Sequence, residues 1–93
     1  MDGLRLDDFA DAVGRSWQVD SEGTPVSLRL DVAQPLPWAM RAEGGFRLEW
    51  VGPSEPLLAQ ATNRFSRGDA GFDMFIVPVG READGVRYEA VFN

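Results

Sequence analysis

Residues 26–32 read VSLRLDV, so that Val26, Leu28, Leu30 and Val32 alternate with Ser27, Arg29 and Asp31. An apolar side chain at every second position marks a half-buried β-strand, because successive side chains of an extended backbone point to opposite faces. The same period continues outward in both directions. Upstream, Trp17 and Val19 alternate, and SEGT at Ser21 to Thr24 supplies the turn of a hairpin with one wet face and one dry face. Downstream, Phe46, Leu48 and Trp50 alternate with Arg47 and Glu49 until Gly52 and Pro53 break the strand. After the Asp84-Gly85 turn signal, Tyr88, Ala90 and Phe92 alternate with Arg87, Glu89 and Val91.

Less regular segments lie between these. Leu58 to Phe65 is a strand diluted by alanines and Asn63, and Arg67 to Gly71 is a tight connection into FDMFIVPVG, residues 72–80. That stretch is apolar on both sides of the pleat, with Phe72, Met74 and Ile76 facing one way and Phe75, Val77 and Val79 the other. Such a strand is either covered on both faces or lies where the N-terminal helix packs against the outside of the sheet, the second being the preferred reading, with Pro78 at an edge position or at the strand's end because it cannot donate a ladder hydrogen bond. Near the start, Leu6, Phe9, Ala10 and Val13 recur at helical spacing, Asp7 or Asp8 is placed to accept from the first free amides, and Gly14 ends the turn. The sum predicts a single mainly β domain over residues 1–93. Its architecture is an antiparallel six-stranded meander forming a small barrel or split barrel, with strands at about 16–20, 25–33, 45–51, 58–65, 71–79 and 86–92. One short N-terminal helix, about residues 7–13, closes an end of it.

Composition narrows the chemistry. The 93 residues include no cysteine, no histidine and no lysine, and all nine basic residues are arginine. Thiol catalysis, thiolate metal sites and disulfides are excluded, as are Ser-His nucleophiles, Schiff-base amines and the P-loop lysine. Fifteen acids against nine arginines give a net charge of −6, which repels phosphate backbones and anionic lipid headgroups, so neither nucleic acid nor membrane is an expected partner. No apolar run approaches the length of a transmembrane helix, and MDGLRLDDFADAVG has acids where a signal peptide would be basic. A cytoplasmic protein without a cofactor, and not an enzyme, is the expectation.

Several residues are candidates for a site. Asp7, Asp8 and Asp11 lack the alternating oxygen donors around a glycine turn that a calcium loop needs, and a capped helix start explains them. Glu82 with Asp84 has too few partners for a metal, and Arg87-Tyr88-Glu89 reads as cross-strand pairing on a solvated face. Gln60 sits among small and apolar residues, where a buried amide must find a partner, so it is a candidate ligand contact. The connection QPLPWAMRAEGG, Gln34 to Gly45, exceeds a hairpin loop and carries Leu36, Trp38 and Met40 between prolines. Tryptophan and methionine favour interface centres, which makes these three the candidate partner-binding residues.

Taken together, LDDFADAVG, FRLEWVGP, LLAQ, FIVPVG and YEAVF resemble a family of small bacterial proteins known as a domain of unknown function. The matching positions are Leu6, Phe9 and Gly14; Phe46, Leu48, Trp50, Gly52 and Pro53; Leu58 and Gln60; Phe75 to Gly80; and Tyr88 to Phe92. The chain departs from that pattern at Asn63, where tyrosine is usual, and at Arg67, where histidine is frequent. The resemblance implies no activity; it implies an accessory role near a phage-tail-like or tail-collar assembly. The function expected is therefore a non-catalytic interaction or accessory module with a protein partner. It would dock through Leu36, Trp38 and Met40, with self-association through a sheet edge as an added route. The alternative is a small-ligand-binding β-barrel that takes an apolar or cationic ligand in its mouth, with a tryptophan platform and a cavity of roughly a few hundred Å³ near Gln60. A weak carboxylate-dependent enzyme stands third.

Overall fold

The alternating stretches become strands. The computed structural model describes residues 4–21, 23–36, 45–83 and 85–92. Helix α1 (Asp7–Ala10) is followed by β1 (Ser16–Ser21), β2 (Thr24–Leu36), β3 (Gly45–Gly52), β4 (Ala61–Arg67), β5 (Ala70–Glu82) and β6 (Gly85–Phe92). Every pairing is antiparallel and the neighbour order is β1-β2-β3-β6-β5-β4, with β4 returning to β1 to close a ring.

The connectivity is not one simple meander. Two three-stranded meanders, β1-β2-β3 and β4-β5-β6, are joined along two seams. The β3–β6 seam runs from Phe46 opposite Phe92 to Gly52 opposite Val86. The β1–β4 seam is paired at only two positions, Gln18 opposite Ser66 and Val19 opposite Phe65. β1 and β4 pair with each other at those two positions, which closes the ring, while the rest of that seam carries no ladder pairing among the described residues.

Period two sets what lies inside. Val26, Leu28 and Leu30 from β2, Leu48 and Trp50 from β3, and Tyr88 and Ala90 from β6 are buried, joined by Phe65, Met74 and Ile76 from β4 and β5. Phe9 of α1 plugs one end, with ring centroids between 5.6 and 6.4 Å from those of Trp17, Phe46, Trp50 and Phe72. A four-residue helix has no stability of its own, so burying this ring, worth about 2 to 3 kcal/mol, holds it in place. Backbone bonds fix the exit of the segment: Gly14 N–H donates to the Leu30 carbonyl at 2.7 Å, and Leu30 N–H donates to that of Arg15 at 2.9 Å.

Four details differ from expectation, each for a physical reason. The helix ends at Ala10, and Asp11 leaves helical geometry at φ −92 and ψ 5, so Ala12 turns inward while Val13 and Ala10 face solvent. A register shift in β2 between Leu30 and Val32 sets Val32 opposite Glu49 and Ala33 opposite Leu48, so Ala33 takes the inward place that strict alternation assigned to Val32. Pro78 lies within β5 and opposite Tyr88, at a second register shift; the irregularity accommodates its missing donor. Finally, α1 plugs the ring end and does not cover β5, which leaves Phe75 at 52% exposure and Val79 at 51% on the outer face.

Candidate functional site

Beyond Gln18 and Ser66, β1 and β4 part. The next pair in that register would be Trp17 and Arg67, and here a side-chain contact replaces the ladder: the guanidinium carbon of Arg67 stands 5.2 Å from the Trp17 ring centroid. A cavity of about 460 Å³ opens at this point, between α1 and the start of β5. Its lining comprises the rings of Phe9, Trp17 and Phe72 together with Leu4, Ala70 and Gly71. Its size is that of a small-molecule site, for which roughly 300 to 1,000 Å³ is usual.

Two charges line the cavity, Asp8 and Arg67. Asp8 is engaged by the chain itself, since its Oδ2 accepts the backbone N–H of Arg5 at 2.8 Å; the N-cap of α1 is Leu6 and carries no side-chain cap, in contrast to the capped start expected of Asp7 or Asp8. Among the described residues Arg29, Arg47, Arg64 and Arg87 each have a carboxylate within ion-pair distance, whereas Arg5, Arg15, Arg67 and Arg81 have none; of these four, Arg67 is the one that lines the cavity.

The residues singled out in the sequence lie elsewhere. Leu36 ends β2 opposite Gly45 and is only 8% exposed, so it belongs to the domain's own interior and is not offered to a partner. Trp38 and Met40 lie outside the described residues. Gln60 is exposed and precedes β4, which begins at Ala61 rather than Leu58; it does not line the cavity. The inward residue of that segment is Leu58, whose N–H donates to the Tyr88 hydroxyl at 2.9 Å and ties the connection to β6.

Arg87 and Glu89 belong to a lattice of ion pairs across the outside of the β3–β6 seam. The Arg87 guanidinium meets Glu82 at 2.7 Å, Glu49 at 2.7 Å and Asp31 at 2.9 Å; Arg47 bridges Glu49 and, at 3.1 Å, Glu89. The hydrogen bond from Arg87 holds the Glu82 carboxyl below its ordinary value, and the bonds to Glu82 and Asp31 raise the guanidinium in turn. These groups satisfy one another. Among the described residues no group of three or more acids is placed to hold a metal ion, and no helix is long and apolar enough to cross a membrane.

Sequence reasoning placed Trp17 as one more inward strand residue and Arg67 in a connection. A local period gives no register between strands distant in the chain, so nothing in the sequence showed these two side by side. Trp50 also goes further than its alternation implies: it is fully buried, and its Nε1 has no hydrogen-bond partner among the described residues.

Fold and cavity together define a small closed β-ring, plugged by a single helical turn, with a side chamber where one seam opens. The chain matches the family described as Domain of unknown function (DUF6916) over residues 4–92 and belongs to that family. Comparison with curated proteins and with solved structures finds no match in either set.

Proposed function

We propose that this is a non-catalytic binding domain whose chamber beneath α1 holds a small, mainly apolar ligand. The observation that carries the proposal is the chamber itself, about 460 Å³ bounded by three aromatic rings. Phe9 and Trp17 are themselves buried, so a ligand would meet only a small part of each of those rings together with the half-buried Phe72, and one or two polar groups at the rim give orientation. Reaction chemistry has little to work with here, because the sequence contains none of the histidine, cysteine or lysine side chains that commonly act as base or nucleophile. Docking of a protein on the loop after β2 would rest on Trp38 and Met40 alone, since Leu36 is buried.

The test is a titration with 2-naphthylmethanol, an uncharged two-ring probe, followed by NMR on the indole N–H signals. The signal of Trp17 should move in a saturable way while that of the fully buried Trp50 moves less. Absence of any saturable change at Trp17 up to millimolar probe would remove the basis of the proposal.

A further inference from the structure

We infer that the chamber selects an anion: a planar aromatic or conjugated carboxylate, its ring among Phe9, Trp17 and Phe72 and its carboxylate taken by Arg67. The inference rests on the binding function proposed above and adds the ligand's chemical class.

Arg67 carries the argument. Its guanidinium carbon stands 5.2 Å from the Trp17 centroid, within cation–π range. Among the described residues no carboxylate pairs with it, so a fork suited to bidentate carboxylate recognition is left unfilled beside an apolar chamber. The other charge at the chamber, Asp8, accepts the Arg5 amide through Oδ2 and keeps its negative charge, so selection of an anion requires the Arg67 fork to outweigh it.

A cationic ligand is the competing chemistry, since aromatic rings attract cations. Here a guanidinium already lies over the Trp17 ring, so a second cation at that face would meet like charge at close range. The chain's net charge of −6 also repels an anion at a distance, which makes retention of one depend on this local donor.

Three probes with a common ring separate the possibilities: 2-naphthoate, 2-naphthylmethanol and 2-naphthylmethylammonium, titrated against the whole chain at neutral pH. Naphthoate should bind about tenfold or more tighter than the alcohol, as a charge-assisted hydrogen bond provides. In Arg67→Gln that advantage should vanish, so that naphthoate and the alcohol bind within about twofold of each other. Equal or tighter binding of the alcohol or the ammonium by the wild type overturns the inference and leaves the chamber as an apolar site. Undiminished naphthoate preference in Arg67→Gln does the same. If none of the three moves the Trp17 signal, the binding function falls, and the ligand class with it.

Discussion

The two seams that close the ring are built in opposite ways. Along β3–β6 the ladder is continuous from Phe46 to Gly52, Phe46 stacks on Phe92 at 4.4 Å, and the outer face is laced by Arg47, Arg87 and the acids around them. Along β1–β4 the ladder holds at two positions and then gives way to a chamber and a guanidinium with no described ion-pair partner. At the first seam, side chains inside and outside commit to one another. At the second, volume and donors are left over, and a ligand can use only what the fold has not. Sites of binding are commonly drawn from the less stable parts of a domain for this reason.

Substitutions can break that contrast, and the largest effect belongs to the tight seam. Gly85 has φ 149, and a Cβ there would run into the carbonyl oxygen of Gly52 on the neighbouring strand. Gly85→Ala should destabilise the fold by about 3 kcal/mol or more, read from urea denaturation. A loss under about 1 kcal/mol would show that the strands can part here as β1 and β4 do.

A smaller effect is expected from the lattice outside the same seam. The Glu82 carboxyl is held below its ordinary value of 4.5, chiefly by the hydrogen bond from Arg87. A group lowered in the folded state contributes stability above its unfolded value and loses it as pH falls through the folded one. Glu82→Gln should therefore flatten the fall in melting temperature below about pH 4.5 and leave its slope near neutrality unchanged. An unaltered acid limb would mean that this exposed pair adds nothing measurable. The smallest effect on stability belongs to the open seam, where Arg67→Gln should change unfolding free energy by less than about 0.5 kcal/mol. A larger loss would make Arg67 a structural clasp on Trp17 rather than a waiting donor.

Much of the wall was legible in the sequence, and little of the chamber was. Leu28, Leu48, Trp50 and Tyr88 fall inside because a strand's faces alternate, a rule that needs no knowledge of the neighbours. Gln60 misled for the opposite reason. Small apolar neighbours suggested a buried strand, yet β4 starts only at Ala61, and of residues 58–60 Leu58 alone is buried. Phe75 and Val79 look like covered residues, and only the docking of α1 at the ring end shows that nothing described lies over them. The pairing of β3 with β6, and hence the place where β1 and β4 separate, depends on contacts between distant parts of the chain. Such contacts leave no periodic trace.

The strand order carries a further consequence, for the speed at which the ring assembles. Each meander joins segments adjacent in the chain, but both seams bring remote ones together, Phe46 with Phe92 and Val19 with Phe65. Loop entropy must be surrendered before those distant partners repay it, so uniting the two halves governs the folding time and places it among slow sheet proteins rather than fast helical bundles.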